Sequence, residues 1–352
     1  SHGIRRNCIY LILLNKYTEN SFWLNLAWRN DPKFGSKTHS AKFNLNPAFS
    51  ANLNKLHPAY VTGFCDGEAC FHLAIGENPR YKLGYYVNPG FSIALHKKDE
   101  EFLLLLKEFF GGVGVVKPSS RSNMVEYRIF AIKDLDIILN HFDLYPLITK
   151  KGGDYLLFKE ALECIKNKQH LTVEGFNKIL AIRASMNKGL PAKLLEKFPY
   201  IKGKEIPVVV TPESLNPYWV AGFMDAEGCF FVKSIYNKNN ELRFGLGCQI
   251  TQHSRDSLVM HKICSFFNCG RVEVSRMVYD NYVVTKLPDI NKIIIPFFTN
   301  FPILGSKRKE FECWTDIAKI MTSKAHLTNE GSEKILKIKH QMNTFRKEDD
   351  NN

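Results

Sequence analysis

Apolar and polar positions follow the same order twice along this chain of 352 residues. Each half opens on a proline, Pro58 or Pro217, a residue suited to the first turn of a helix. An apolar helical stretch, two β-rich runs and a second helical stretch follow in each half. The strands are predicted at 70–74, 85–95, 229–236 and 242–251, and the second helices at 100–110 and 256–267. The pattern predicts one mixed α/β unit that is used twice.

Shorter apolar runs complete each unit. Strands are predicted at 114–116, 125–132, 270–274 and 282–286. One of the helices that follow opens at a threonine in each half, Thr172 or Thr328, with a glutamate two residues later. Threonine is a good N-cap residue, and glutamate is favourable at the positive end of the helix dipole. The expected order is αββαββα in each half of an α+β protein.

The duplication is also visible in the letters of the sequence. FSIALHKKD at 91–99 matches CQITQHSRD at 248–256, and YPLITKK matches FPILGSK farther on. The offset between matched positions falls only from 159 in the first helices to 156 in the second of these strings. A small drift indicates short loop insertions within one repeated fold.

Composition changes mark the limits of the two repeats. We expect repeats at 53–187 and 215–346, joined by a linker at 188–214 that is rich in proline, glycine and lysine. Residues 1–52 match nothing in the second repeat and are expected to form an extension of unassigned role. Residues 347–352 are expected to form a frayed tail.

Two nearly identical stretches, VTGFCDGEA at 61–69 and VAGFMDAEG at 220–228, end the first helix of each half. Each carries an acidic residue, Glu68 or Glu227, at the helix end where the macrodipole disfavours an anion. One such carboxylate is normally a solvated surface charge, but two in matching contexts predict a shared cation. Magnesium is a suitable ion because it takes oxygen ligands and accepts phosphate oxygens and water to complete its shell.

The same stretches carry small residues four positions apart, which let two helices pack backbone to backbone. These residues are Gly63, Gly67, Gly222 and Ala226. The predicted packing would bring Glu68 and Glu227 together at one end of the helix pair.

The charge balance points to a polyanionic partner. Forty-eight Lys and Arg against thirty-five Asp and Glu give a net charge of +13, which favours nucleic acid. Acidic membranes are a weaker alternative because the apolar runs are far too short to span a bilayer. Nine irregularly spaced cysteines do not form a disulfide framework, which favours a reducing compartment with the cysteines in the core.

At 61–69 and 220–228 the chain resembles the LAGLIDADG homing endonucleases in their single-chain form with two motif copies. The resemblance implies that the motif helices form the interface between the repeats and that two antiparallel sheets form a saddle over double-stranded DNA. It also implies a divalent-metal site for Mg²⁺, which Mn²⁺ or Ca²⁺ can occupy. The implied ligands are Glu68 and Glu227, with Asp66 and Asp225 in support and the backbone carbonyls of Gly67 and Ala226 as further candidates.

The family's activity would be hydrolysis of both strands of a long, pseudo-palindromic DNA target, leaving 3′ overhangs and promoting intron homing. The family's basic-pocket lysine matches Lys151 and Lys307, with Lys150 and Arg308 as alternatives if the register shifts by one residue. A cation at this place would stabilise the negative charge that develops on the phosphate.

Two departures from the family pattern predict unequal halves. Gln252 matches a position that can orient water, whereas the corresponding Leu95 cannot hydrogen-bond. Ala69 stands where Gly228 and the family supply glycine, the residue that best tolerates a left-handed helix cap, so the first helix is expected to be capped differently. We expect a fuller centre of Glu227, Gln252 and Lys307 and a leaner centre of Glu68, Leu95 and Lys151.

The saddle strands should read the DNA, because alternate residues of a strand face the same side. The candidate base-reading residues are His72, Asn78, Arg80, Ser92, Phe231, Lys233, Ile235, Arg243 and Gln249. Lys97, Lys98 and Arg255 are expected to contact phosphates, which adds salt-dependent affinity without sequence information.

Other functions remain open on the sequence. An RNA-binding maturase on the same fold, a bifunctional protein or a catalytically silent DNA-binding protein would have the same basic charge. Paired Glu68 and Glu227 favour the nuclease, because RNA binding needs no metal carboxylates. The resemblance further implies a monomer, mitochondrial localisation of an organelle-encoded protein, and host intron RNA as a further candidate partner.

Overall fold

The protein is described by a computed structural model, which covers residues 56–120, 123–274 and 278–347. The predicted extension at 1–52 and the tail beyond residue 347 lie outside the described residues. Of the described helices, none is long and apolar enough to cross a membrane.

The first repeat follows the expected order of elements. Its helices and strands are α1 (Pro58–Glu68), β1 (Ala69–Glu77), β2 (Tyr85–His96), α2 (Glu100–Phe109), β3 (Val115–Pro118), β4 (Met124–Ile129), α3 (Leu135–Leu144), α4 (Lys151–Lys166) and α5 (Val173–Ser185). A 3-10 turn at Lys97–Asp99 links β2 to α2. A short helix not expected from the sequence, α6 (Ala192–Lys197), lies within the predicted linker.

The second repeat repeats the plan. Its elements are α7 (Pro217–Glu227), β5 (Gly228–Tyr236), β6 (Leu242–His253), α8 (Ser257–Phe267), β7 (Arg271–Val274), β8 (Tyr279–Val284), α9 (Leu287–Asp289), a π-helical segment (Ile290–Ile294), α10 (Ile295–Asn300), α11 (Lys307–Thr322) and α12 (Asn329–Lys347). A 3-10 turn at Ser254–Asp256 links β6 to α8. The predicted αββαββα order is confirmed, although β1, β3, β4, β6 and β8 begin or end two or three residues from their predicted limits.

Each repeat has one antiparallel sheet. The described strands are ordered β1-β2-β4-β3 in the first sheet and β5-β6-β8-β7 in the second. Successive side chains of a strand point to opposite faces of the sheet. Phe71 on β1 pairs with Phe91 on β2, and both are buried in the core. The residues next to them along each strand point to the opposite face. We call this second face of each sheet the outer face.

The motif helices α1 and α7 pack directly on each other at the interface between the repeats, as predicted. A Cβ added to Gly63 would lie 2.1 Å from the carbonyl oxygen of Trp219, and one added to Gly222 would lie 2.1 Å from that of Tyr60. The two contacts are equivalent by the internal duplication. Both helices end at this interface, so Glu68 and Glu227 emerge side by side.

The expectation that the first motif helix is capped differently is wrong. Ala69 and Gly228 both have extended backbone at the helix end, with φ of −73° and −84°, and each donates its N–H to the carbonyl four residues earlier. The glycine is required for space instead, because a Cβ on Gly228 would lie 2.2 Å from the sulfur and 2.4 Å from the backbone carbonyl oxygen of Met224. In the first repeat the matched residues are Cys65 and Ala69.

His141 occupies the site in the first repeat that Phe297 occupies in the second. Its ring packs edge-on against Phe109 and Phe110, while Phe297 packs edge-on against the matched pair at 266–267. The His141 Nε2 lies 3.1 Å from the hydroxyl of Thr62. Burial lowers the pKa of His141 to about 3.

We expect His141→Phe to protect the fold against acid. The buried imidazole stays neutral in the native state, while the unfolded chain takes up a proton below its ordinary pKa of about 6.5. Stability is therefore lost as the pH falls from about 6.5 towards 3. Relative to the wild type, the variant should gain about 2 kcal/mol of unfolding free energy between pH 8 and pH 5. Urea unfolding at both pH values measures this, and an unchanged difference between the two proteins would refute it.

Candidate active site

Glu68 and Glu227 share one partly buried site at the end of the α1–α7 pair. The carboxylate of Glu227 lies against the first motif helix, because a Cβ on Gly67 would be 3.2 Å from Oε1 of Glu227. Burial and then the charge of Glu227 raise the pKa of Glu68 to about 7. Burial also raises the pKa of Glu227, against the opposing effects of Lys151 and Lys307. Two carboxylates held close in a poorly solvated place create a site that favours a cation.

Asp66 and Asp225 are buried and accept hydrogen bonds from protein donors. Asp66 accepts hydrogen bonds from the backbone N–H groups of Ile148 and Thr149, both at 3.1 Å, and from the Trp219 indole at 2.8 Å. Asp225 accepts from the Tyr60 hydroxyl at 2.5 Å and from the backbone N–H of residue 305 at 2.8 Å. Each aspartate thus joins its own repeat to the motif helix of the other. The structure places them as buried anchors beside the glutamates.

Lys151 and Lys307 reach the C-terminal carbonyls of the motif helices. The Lys151 ammonium donates to the carbonyl of Gly67 at 2.6 Å, and the Lys307 ammonium donates to those of Asp225 at 2.6 Å and Ala226 at 3.3 Å. A cation is favourable there because the helix dipole is negative at its C-terminus. Burial lowers the pKa of Lys151.

The register alternatives lie elsewhere. Lys150 is exposed, and Arg308 forms an ion pair with Glu312 one turn along α11. The register chosen from the sequence is the one whose lysines approach the paired glutamates.

One cavity of about 300 Å³ at this site is built from both repeats. The first repeat contributes Glu68, Leu95, His96 and Asp99, and the second contributes Ala226, Ser306 and Lys307, among other lining residues. Lys307 therefore shares the cavity of Glu68, while Lys151 donates to the carbonyl of Gly67 directly before Glu68. The positive charges of both lysines oppose the upward pKa shift of each glutamate.

The surroundings of the two glutamates differ, as the sequence predicted. The Gln252 amide lies 3.4 Å from Oε1 of Glu227, and this hydrogen bond opposes the upward shift of the pKa of Glu227. Leu95 lines the cavity of Glu68 at the matched position. One glutamate has a polar amide neighbour and the other has an apolar wall.

The donor set fits a hard divalent cation. It consists of the two carboxylates, because the carbonyls of Gly67 and Ala226 accept hydrogen bonds from the ammonium groups of Lys151 and Lys307. Within the described ranges, no group of three or more His, Cys, Asp or Glu side chains forms a closed metal site. Ligands from outside the protein, such as phosphate oxygens and water, would complete the shell.

We expect divalent cations to raise the melting temperature more at pH 8 than at pH 6. Glu68 with a pKa of about 7 is mostly protonated at pH 6, so a metal must displace its proton, whereas at pH 8 the ligand is already ionised. Thermal melts with MgCl₂ or with EDTA at both pH values measure the effect. Glu68→Gln is the control and should show a smaller shift with little pH dependence. A larger metal effect at pH 6 would contradict the assignment.

The candidate base-reading residues fall into different environments. His72 lies on the outer face of β1, but its Nε2 is 2.6 Å from the hydroxyl of Ser92, which is buried. Asn78 and Arg80 lie in the turn after β1 and not on the strand as expected, because β1 ends at Glu77. These two side chains lie at the edge of the sheet.

In the second sheet, more of the candidate base-reading residues are exposed on the outer face. Lys233 lies over the ring of Phe231 at 5.3 Å on the outer face, and Arg243 pairs with Glu241 at 2.5 Å. Ile235 is exposed and Gln249 half-buried. The candidate phosphate contacts Lys97, Lys98 and Arg255 are exposed in the matched 3-10 turns after β2 and β6.

The sequence reasoning missed three acidic residues near these surfaces. Glu126 lies beside Ser92 on the outer face and forms an ion pair with Arg128. Asp99 and Asp256 each accept a hydrogen bond from a backbone N–H of the opposite repeat. The last two stand in the matched strings HKKD and HSRD, so the duplication could have indicated them.

No disulfide joins any cysteine that the structure describes, and Cys65, Cys164 and Cys248 are buried. The expectation that the cysteines lie in the core is correct for these three but not for Cys70, Cys229, Cys264, Cys269 and Cys313, which are half-buried.

The fold and the site define a class of duplicated proteins in which two central helices deliver paired carboxylates between two open antiparallel sheets. The model of the LAGLIDADG endonuclease family matches residues 61–162 and 220–318. The chain belongs to this family.

Relatives from Neurospora crassa extend the similarity. The chain is 34% identical over 327 residues to "Probable intron-encoded endonuclease 3", and 36% identical over 299 residues to "Probable intron-encoded endonuclease 2". These matches cover 91% and 82% of this chain. The chain spans only 60% and 65% of the length of these two relatives.

The chain is also similar to a solved structure over nearly the whole length of that structure's chain. I-SmaMI, bound to its uncleaved DNA target in the presence of calcium ions, is 41% identical with a TM-score of 0.79, over 82% of this chain and 99% of that chain. A structure of the same homing endonuclease bound to cleaved DNA gives a TM-score of 0.80 at 40% identity, over 83% and 98% of the two chains.

Proposed function

We propose that this chain is a monomeric, site-specific endonuclease that hydrolyses both strands of a long, pseudo-palindromic DNA target and needs a divalent cation. The observation that carries the proposal is the composite cavity in which Glu68 of the first repeat lies with Ala226 and Lys307 of the second. Carboxylates, helix-end carbonyls and an ammonium group around one space are the groups that phosphodiester hydrolysis requires.

The glutamates and the lysines of the site would have different roles in the reaction. Glu68 and Glu227 would hold the cation, with the carbonyls of Gly67 and Ala226 nearby. When bound, a divalent ion polarises the phosphoryl oxygens and makes water more acidic. Lys151 and Lys307 hold positive charge beside the site, which stabilises the additional negative charge of the reacting phosphate.

The unequal halves predict unequal strand cleavage. The Gln252 amide near Glu227 would orient a water molecule on one side of the site. Leu95 offers no hydrogen bond on the other side. The two strands would then be cut at different rates, leaving 3′ overhangs as the family resemblance implies.

Two features support DNA as the partner. Lys233 on β5 and Arg243 on β6 lie on the outer face of the second sheet, in a chain with a net charge of +13. I-SmaMI, which shares the fold at 41% identity, is bound to a DNA target. The names of the Neurospora relatives further support an intron-encoded gene, for which we propose a mitochondrial intron and a role in homing.

The deciding experiment uses a plasmid library with randomised target sites. Cleavage should require Mg²⁺, stop with EDTA and linearise the plasmids that carry the target. Selected targets should match the DNA that flanks the gene's insertion site. Tight binding to a selected DNA without cleavage of any site would overturn the endonuclease proposal. A parallel splicing assay on the host intron tests the maturase alternative, for which intron RNA would be the partner.

A further inference from the structure

Each active-site lysine stands at the end of a short loop that we call a lysine loop, 147–151 in the first repeat and 303–307 in the second. The motif aspartate of the same repeat holds the middle of each loop, through the bonds from Asp66 to 148–149 and from Asp225 to 305. The motif aspartates do not bind the residue directly before each lysine, so another group must hold that residue.

That group comes from the opposite repeat. Asp256 of the second repeat accepts a hydrogen bond from the backbone N–H of Lys150 at 2.6 Å. Asp99 of the first repeat accepts from the backbone N–H of Ser306 at 2.7 Å and from its hydroxyl at 3.0 Å. Lys150 and Ser306 directly precede Lys151 and Lys307. The two contacts are equivalent by the duplication, and both cross the interface.

The position of these bonds has a physical consequence for the helices that begin at the lysines. Lys150 and Ser306 are the N-cap residues of α4 and α11, and among the described contacts neither makes a side-chain cap. Cations in a first turn, such as Lys151 and Lys307, are unfavourable at the positive end of the helix dipole. A carboxylate from the other repeat offsets that charge and accepts an N–H that the helix cannot satisfy itself.

The same turns also carry the candidate phosphate contacts. Asp99 ends the 3-10 turn that contains exposed Lys97 and Lys98, and Asp256 follows exposed Arg255. Each turn is closed by a histidine Nδ1 that accepts a backbone N–H, at 3.2 Å in the first repeat and 3.1 Å in the second. One rigid turn therefore joins a basic surface of one repeat to the lysine loop of the other.

We propose that Asp99 and Asp256 are positioning residues, each of which holds the active-site lysine loop of the opposite repeat. The proposal rests on the proposed endonuclease function. Each active-site lysine then depends on the turn of the opposite repeat, so a displaced turn in one repeat disables the lysine of the other.

The test follows the two strands of one target separately, with a different fluorophore on each strand. Asp99→Ala should slow the strand that Lys307→Ala slows, and Asp256→Ala should slow the strand that Lys151→Ala slows. We expect about a tenfold loss on the affected strand, since small misplacement of a catalytic group is costly. The strand ratio should shift in opposite directions for the two aspartate variants.

Further variants separate positioning from general damage. Asp99→Asn keeps an acceptor and should restore most of the strand ratio. The double variant Asp99→Ala with Lys307→Ala should be no slower on the affected strand than Lys307→Ala alone, because both changes remove one function. Asp143→Ala is the matched control, because it removes hydrogen bonds to Tyr155 and Lys159 within one repeat and should leave the strand ratio unchanged.

The possible failures can be told apart. If the wild type cleaves and both aspartate variants slow the two strands equally, or Asp99→Ala follows Lys151→Ala, the positioning proposal is wrong. If the wild type cleaves no site, the endonuclease proposal itself has failed. Melting temperatures of every variant show whether a slow rate reflects a loss of folded protein.

Discussion

Replacing Glu68 or Glu227 with glutamine is expected to abolish double-strand cleavage while leaving DNA binding largely intact. Glutamine keeps the shape of the side chain but removes the negative charge that a divalent ion requires. Loss of the several kcal/mol that a metal contributes corresponds to a fall in rate of roughly 10³-fold. The candidate phosphate contacts at Lys97, Lys98 and Arg255 lie on other segments, so affinity for the target should persist.

Rates on a cognate duplex and affinities from gel shifts measure the two quantities. The binding control uses Lys98→Ala and Arg255→Ala, which should weaken binding and reduce its salt dependence. If either glutamine variant cut both strands at the wild-type rate, the metal assignment would be wrong. Glutamine in place of Glu68 should also remove the repulsion with Glu227 and raise the melting temperature without metal, because that repulsion helps to raise the pKa of Glu68.

The second large effect is expected at the helix interface. Gly63→Ala and Gly222→Ala would each place a Cβ 2.1 Å from a backbone carbonyl of the opposite motif helix. Backbone cannot move aside as a flexible side chain can, so the helices must separate. We expect each change to lower the free energy of unfolding by about 3 kcal/mol. The gain in helix propensity from glycine to alanine, about 1 kcal/mol, is too small to compensate.

Urea unfolding at neutral pH measures this cost. Gly245→Ala is the matched control, because its nearest neighbour would be the Cβ of Lys233 at an ordinary 3.6 Å. That variant should stay within about 0.5 kcal/mol of the wild type. Equal stability of Gly63→Ala and Gly245→Ala would show that the helices do not pack at this distance.

Much of the fold could be predicted because its signals are local and occur twice. Pro58 and Pro217 fix the start of the motif helices, and the glutamates and small residues that follow give the same pattern in each half. A single copy of such a pattern is weak evidence. Two copies with a nearly constant offset predict one fold, one interface and one paired site.

Local misinterpretations came from residues whose roles depend on neighbours. Gly228 suggested a left-handed cap, but its backbone is extended and the close approach of the Met224 sulfur and carbonyl oxygen explains the glycine. Ser92 suggested an exposed reader, but it is buried beside His72. Residue type alone does not reveal which atoms lie within contact distance.

By itself, the sequence determined the duplicated architecture, the motif helices and the paired glutamates, because spacing along one segment fixes which residues share a helix face. Only the tertiary structure decided that Lys307 lies in the cavity of Glu68 and that Asp99 and Asp256 hold the opposite lysine loops. The physical reason is the close packing of α1 on α7. That packing interleaves the two repeats, and contacts across it join residues that no spacing within a repeat relates.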